Sequence, residues 1–300
     1  MKINPEFVKR YEKIDDSKEF WEYMSKPLRT SIRVNTLKAS LDEVVGSLGE
    51  RFELDRIKWC SEGFFIKCER VGSTIEHQLG LIFIQEASSM IPAIALDVKP
   101  GMLVLDMAAA PGGKTTQIAQ YMKNEGCIIA NDVKADRINI LISNLQRCGV
   151  LIARVTMKDG RFFSRFRNRF DRVLIDAPCS NVGMIRKNYR YLKRWRLKEV
   201  ISFSKLQKEL LMAGYKALKP GGILVYSTCT LDPLENEEVV DHLLYSTDAV
   251  IEDIDIPVKC TKPITRFGDR EYLTDVKKCL RIHPQDNDTE GFFIAKIRKP

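Results

Sequence analysis

LVLDMAAAPGGKTTQIAQ, residues 103–120, reads as a strand, a tight loop and a helix. Such a unit turns backbone N–H groups and a helix N-terminus toward a ligand. Three readings of the loop compete. A phosphate-binding P-loop requires G-x-x-x-x-G-K-[ST]; Gly113, Lys114 and Thr115 fit, but Ala108 stands at the first glycine position. RVLID (172–176) would then be the strand whose aspartate holds magnesium. A dinucleotide fingerprint, G-x-G-x-x-G, is absent. S-adenosylmethionine (SAM) on a Rossmann-like methyltransferase sheet uses more of the residues. Asp132 ends the next strand, 26 residues after Asp106, where an acid accepts ribose hydroxyl protons. Asp159 follows the third strand, where a carboxylate meets the adenine amine. The bland alternative is a structural Gly-Pro turn, with each acid a solvated strand end.

Outward from this loop the pattern is strand–helix alternation, which marks a parallel α/β sheet. Strands are expected at 103–106, 127–132, 151–156, 172–176 and 223–228, with helices near 113–123, 134–148, 202–218 and 235–245. LKPGG (218–222) reads as a helix stop and turn. CLRIHP and GFFIAKIR, joined by QDNDTE, read as a C-terminal antiparallel hairpin. Toward the N-terminus, SIRVNTL, SLDEVVGSLG, ELDRIKW and GFFIKC give β-α-β-β in under 40 residues, a small α+β module of ferredoxin type. The first 25 residues read as an amphipathic helical segment ended by Pro27. The expected division is 1–75 for that segment and module, then 76–300 for the α/β domain, with 76–97 a helical lead-in.

With 44% hydrophobic and 29% charged residues, composition excludes wholesale disorder. No run of about 18 apolar residues occurs, so no membrane span is expected. Residues 1–16 hold no apolar stretch of signal-peptide type, so a cytoplasmic protein is expected. Eight cysteines without a C-x-x-C pair argue against disulfides and against zinc or iron–sulfur sites; no metal is expected. The net charge of +8 is uneven: residues 154–198 hold 14 Lys/Arg against three acids, and the rest of the chain sums to −3.

Asp176-Ala-Pro-Cys179-Ser180 follows the fourth strand, and Ser227-Thr228-Cys229-Thr230 the fifth. Neighbouring strands of a doubly wound sheet would bring both thiols into one pocket beyond the strand ends. Two thiols there suit methylation at C5 of a pyrimidine. A thiolate added to C6 makes C5 nucleophilic, which is covalent catalysis. A thiol needs a positive neighbour to ionise at neutral pH, and Lys114 or the basic segment supplies one. Asp176 is placed for the N3/N4 edge of cytosine. Residue chemistry alone does not say which cysteine attacks.

DMAAAPGGKT, DAPCS, YSTCTLDPLENEEVV and RIHPQDNDTEGFFIAKI resemble, in order, the motifs of the NOL1/NOP2/Sun family of RNA cytosine-C5 methyltransferases. RVNTLK (33–38) and QEASSM (85–90) resemble its patterns ahead of the core. The resemblance runs from about residue 30 to the C-terminus. It implies a SAM-dependent methyltransferase sheet with a ferredoxin/RRM-like RNA-binding module. It implies Cys229 as nucleophile, and Cys179 as the thiol that assists release of the adduct, with Asp176 and Lys114 beside them. The SAM-binding set it implies is Ala108, Ala109, Ala110, Pro111, Gly112, Gly113, Lys114, Asp132, Arg137, Asp159 and Asp176. Two positions depart from the family: Asn181 stands where a glycine usually follows DAPCS, and Tyr189 where proline often follows R-K-N.

The basic segment interleaves its charges with Phe162, Phe163, Phe166, Phe170, Tyr189, Tyr191 and Trp195. Basic residues bind phosphates and exposed aromatics stack unpaired bases. Phe163, Phe166 and Phe170 are expected in the core; Tyr189, Tyr191 and Trp195 are expected at RNA or an interface. A paired cytosine cannot reach such a pocket, so the target must be unpaired or flipped out. The expectation is a monomeric enzyme acting on RNA, tRNA rather than rRNA. The alternatives are a non-catalytic RNA-binding or assembly factor on the same fold, and a P-loop NTPase.

Overall fold

The structure is a computed structural model and describes residues 4–300. The N-terminal module holds β1 (Ser31–Val34), the helix Leu41–Gly49, β2 (Leu54–Arg56), β3 (Gly63–Ile66) and β4 (Ile82–Ile84). The helix starts on a capping box: Ser40 Oγ accepts from Glu43 N while the Glu43 carboxylate accepts from Ser40 N. Its apolar face, Val44 and Leu48, packs on Ile32, Val34 and Phe64. The strands pair antiparallel in the order β2-β3-β1-β4, the ferredoxin order. β4 lies past residue 75, in the stretch expected as a helical lead-in. It covers the edge that β1 leaves open, Ile32 facing Ile84, and at three residues it is too short to show a strand period.

The first 25 residues form two helices, Pro5–Tyr11 capped by Asn4 and Lys18–Ser25 capped by Ser17. They were grouped with the small module, but their stripe of Phe7, Tyr11, Phe20 and Met24 packs on Val182, Ile185, Leu192, Trp195 and Leu231 of the large domain. An amphipathic stripe goes where apolar surface is unpaired, and here that surface belongs to the loops after two sheet strands.

The large sheet contains β5 (Leu103–Asp106), β6 (Cys127–Asp132), β7 (Ala153–Met157), β8 (Phe170–Asp176), β9 (Leu218–Thr228) and β10 (Val250–Glu252). A two-stranded ribbon, β11 (Arg266–Phe267) with β12 (Arg270–Glu271), precedes β13 (Leu280–Ile282) and β14 (Phe292–Arg298). Its order is β10-β14-β9-β8-β5-β6-β7; β7 to β9 run parallel through β5, and β14 is antiparallel to β9 and β10. Strand order reverses between β5 and β8, so the ligand-binding switch point lies at their carboxyl ends. β13 and β14 form the expected antiparallel pair. The LKPGG turn is absorbed into β9 as an irregularity: Leu218 pairs with Phe170, Ile223 pairs with Arg172, and 219–222 loop out. The helix before it, Leu197–Ala217, starts five residues earlier than its pattern suggested.

Candidate active site

The loop after β5 is held from beneath. Thr115 Oγ1 donates to Asp106 Oδ2 at 2.7 Å, and Ala109 N donates to the Asn131 carbonyl at 2.7 Å. Burial pushes the Asp106 carboxyl up to about 7. Gly112 has φ +107°, and a Cβ there would stand 3.1 Å from Leu141 Cδ1, so the turn needs glycine for backbone and space alike. Thr115 is spent on Asp106, which leaves the P-loop reading without its magnesium hydroxyl. Among the described residues no group of His, Cys, Asp or Glu is arranged to hold a metal.

Asp132 ends β6 beside this loop. Its Oδ1 accepts from Val133 N (2.8 Å) and Lys134 N (3.2 Å). Its Oδ2 has no hydrogen-bond donor, although the residue is only 2% exposed; the nearest cation is Arg137 Nη2 at 3.3 Å. Arg137 also donates to the Ala110 carbonyl, which ties the acid to the loop. A buried carboxylate oxygen with a vacant lone pair at a strand end fits a ribose hydroxyl. Asp159 is differently placed. It caps the short 3-10 turn Gly160–Arg165, and Arg161 engages its carboxylate through N and Nε (2.9 Å each) and Nη2 (2.6 Å). An adenine amine there would share the carboxylate with Arg161.

β8 and β9 are adjacent, and their ends bring the two expected cysteines together, Sγ to Sγ 3.2 Å, both free thiols. Beside them Lys114 Nζ donates to Asp176 Oδ2 and to Ser89 Oγ, each at 2.7 Å. Ser227 Oγ donates to Asp176 Oδ1 at 2.8 Å. Lys114, Asp176, Cys179 and Cys229 therefore share one site at the switch point. The close thiol–thiol contact and burial push the Cys229 thiol well above its ordinary range, and the Asp176 and Glu290 carboxylates add to this.

Three loops meet here at backbone distance. Gly183 N donates to the Cys229 carbonyl at 2.9 Å and Gly291 N to the Gly183 carbonyl at 3.1 Å. A Cβ on Gly183 would stand 1.9 Å from the Gly291 carbonyl oxygen, so only glycine fits. The loops are also stapled by a residue the sequence reading passed over. Glu235 accepts from Ser180 N at 2.9 Å, from the Ser180 hydroxyl at 2.5 Å and from Gln207 Nε2 at 3.0 Å. Burial pushes its carboxyl up to about 7. The only signal in the sequence was its place in the motif after Cys229, where it is one acid among several. Arg33 of RVNTLK is a second missed residue. Fully buried, its guanidinium donates to Gln85 Oε1 (3.0 Å), Thr116 Oγ1 (2.8 Å) and Gln120, joining the small module to the helix that follows the loop.

Of the 14 basic residues in 154–198, 12 are exposed. Arg186 is buried, donating to the carbonyls of Lys26, Pro27 and Thr289. Trp195 is no base platform: its ring is buried edge-on to Phe7 and Tyr11, centroids 5.7 and 6.2 Å away. The Tyr189 hydroxyl donates to the Ser25 carbonyl at 2.7 Å, so it fastens this segment to the N-terminal helices. Tyr191 is half-buried near the two thiols. Phe163 and Phe170 are buried as expected, but Phe166 is 43% exposed and meets Phe162 edge-on and Phe163 at a tilt, because it lies at the end of the short turn rather than on the sheet.

Residues 93–298 match the family model described as 16S rRNA methyltransferase RsmB/F, and residues 3–87 match the N-terminal domain of 16S rRNA methyltransferase RsmF. The tRNA (cytosine(49)-C(5))-methyltransferase of Pyrococcus abyssi is 62% identical over 302 residues, covering 100% of this chain and 97% of that protein. The ribosomal RNA small subunit methyltransferase F of Shewanella denitrificans is 42% identical over 100% of this chain, which spans 61% of that longer protein. Among solved structures, a methyltransferase homolog from Pyrococcus horikoshii superposes with a TM-score of 0.87 at 40% identity, covering 99% of this chain and 95% of that one. NSun6 from Pyrococcus horikoshii with SFG shares the fold (TM-score 0.88, 24% identity, 99% and 98% coverage). The chain belongs to the RsmB/F (Sun-domain) family and is a SAM-dependent RNA cytosine-C5 methyltransferase.

Proposed function

We propose that this enzyme methylates C5 of an unpaired or flipped-out cytosine in tRNA, at the position corresponding to cytosine 49, through a covalent bond from Cys229 to C6. One observation carries the mechanism: two free thiols 3.2 Å apart, beside a Lys114–Asp176 pair, at the switch point of a methyltransferase sheet. A non-catalytic RNA-binding protein has no use for that set. The choice of tRNA rests on the higher identity to the tRNA enzyme, 62% against 42% for the rRNA enzyme.

Asp132, Arg137 and residues 108–114 would hold SAM, with Asp159 toward the adenine; when bound, it supplies an electrophilic methyl group. The Cys229 thiol is protonated at neutral pH, so its addition transfers a proton. Sulfur bonds to C6, the C5–C6 π pair moves to C4–C5 and the C4–N3 pair onto N3, and N3 takes up the proton that the thiol gives up. Asp176, bridged by Lys114, would accept the N3–H and N4–H donors of the N3/N4 edge and so favour the protonated adduct. C5 is then nucleophilic and accepts the methyl group. Loss of the C5 proton to solvent re-forms the C5–C6 double bond as the C6–S bond breaks, and the N3 proton returns to the departing sulfur, which restores the ring and the Cys229 thiol. Cys179, in contact with the departing sulfur, is the group placed to assist this last step.

The test uses full-length enzyme and tRNA transcripts that differ only in C49 or U49. Methyl incorporation is expected only into the C49 transcript. Cys229→Ala should abolish transfer in a single turnover, while Cys179→Ala should trap a protein–RNA adduct that survives denaturing electrophoresis. Full single-turnover transfer by Cys229→Ala would overturn the nucleophile assignment, and equal labelling of both transcripts the target assignment.

A further inference from the structure

Asn181, the departure from the family pattern, touches both thiols. Its Oδ1 lies 3.1 Å from Cys229 Sγ and 3.8 Å from Cys179 Sγ. Its backbone is left-handed, φ 57° and ψ 26°. Glycine adopts that conformation freely, and asparagine is one of the few other residues that tolerates it. The substitution therefore leaves the turn intact and adds one carboxamide to the pocket. We propose that Asn181 is a positioning residue for the nucleophile: its carboxamide oxygen accepts the Cys229 S–H proton and holds that sulfur against Cys179, protonated, while RNA is absent. The role rests on the reading that Cys229 is the nucleophile.

The surroundings favour a donor rather than an anion at this sulfur. Asp176 and Glu290 both disfavour a negative charge on Cys229. Tyr191 lies near the same pair of thiols, and Lys114, on the helix after the loop, is committed to Asp176 and Ser89. An acceptor on Cys229 completes that pattern. It stabilises the thiol over the thiolate and so lowers reactivity toward anything but a base seated in the pocket.

The experiment measures alkylation of Cys229 by iodoacetamide in RNA-free enzyme across pH 6–10, with Cys229 and Cys179 peptides resolved by mass spectrometry. Asn181→Gly keeps the left-handed turn and removes the acceptor. It should alkylate at Cys229 about two- to fivefold faster at pH 7, the worth of one neutral hydrogen bond, with the pH midpoint moved down. Asn181→Asp places a stronger acceptor at the same point and should alkylate more slowly, with the midpoint moved up. Superimposable profiles for wild type and Asn181→Gly, or shifts of both variants in one direction, would overturn the proposal. Alkylation does not depend on methyl transfer, so a failure here is distinct from a failure of Cys229→Ala to block the reaction.

Discussion

Arg281 and Glu237 form an ion pair with both side chains fully buried. Arg281 Nε donates to Glu237 Oε1 at 2.8 Å and Nη2 to Oε2 at 2.5 Å, a bidentate fork, while Nη1 donates to the Leu231 carbonyl at 2.8 Å. Leu231 is two residues past Cys229, so the pair anchors the loop that carries Cys229. Arg281→Met keeps the length of the side chain but strands a buried carboxylate. Such a break costs about 3–5 kcal/mol. With a urea m-value of about 3 kcal/mol/M, the midpoint should fall by at least about 1 M. Glu237→Gln added to Arg281→Met removes the charge and keeps an acceptor for Ile264 N. About 2 kcal/mol should return, leaving the unpaired Leu231 carbonyl as the residual cost. Urea titration followed by the emission of Trp21, Trp59 and Trp195 gives the stabilities. Single-turnover methylation gives a second readout. Stability should recover in the double variant more than activity, because the bond to Leu231 is still missing. A loss below about 1 kcal/mol in Arg281→Met, or a double variant no more stable than the single, would refute the reasoning.

Two further outcomes follow from buried groups. Trp195→Ala removes a buried ring that meets the stacked Phe7 and Tyr11 edge-on and should cost about 3–5 kcal/mol without changing the salt dependence of RNA binding, measured by filter binding on the folded fraction. A stable variant with weakened binding would return Trp195 to the RNA surface. Asp106, whose carboxyl burial holds at about 7 against about 3.9 in an unfolded chain, binds more protons folded than unfolded between those values. Its contribution to stability is therefore present below about pH 4 and lost as pH rises through 7. Asp106→Asn should flatten the fall in urea midpoint between pH 5 and 7, by up to about 1.4 kcal/mol per pH unit, and an unchanged slope would contradict the burial argument.

The grouping of the site residues was legible because its signals are local. A glycine loop after a strand, acids at strand ends and cysteines at neighbouring strand ends depend on residue type and short spacing. The sheet then brings Lys114 to Asp176 and Cys179 to Cys229. The supporting residues depend on partners far away in sequence. Ser180 meets Glu235 55 positions on, and Arg33 meets Gln120 across 87. Before the fold is known, each reads as an ordinary polar residue. Length set another limit: β4 is three residues long and earns its place only through pairing with β1. Trp195 and Phe166 were misplaced for a related reason. In a segment this basic, periodicity does not separate an aromatic that faces RNA from one that faces another helix of the same chain.

The N-terminal helices change how the positive charge should be read. They cover Val182, Ile185 and Leu231, which lie on the loops that carry the two cysteines. Arg10 donates to the buried Asp232 through Nε at 2.5 Å and Nη2 at 2.7 Å, and Asp15 meets the buried His283 at 2.7 Å. Arg186 and Tyr189 reach back to residues 25–27. These contacts fix a segment whose remaining cations, Lys187, Arg190, Lys193, Arg194, Arg196 and Lys198, are all exposed. A mobile basic strand would attract phosphate without orienting it, since long-range attraction is insensitive to geometry. Pinned on one side by the buried Arg186 and Trp195 and by the Tyr189 hydrogen bond, the same cations occupy set positions relative to the thiol pocket. Phosphate contacts position a nucleic acid but do not read it, so cations held in set positions can orient a bound backbone where mobile ones can only attract it.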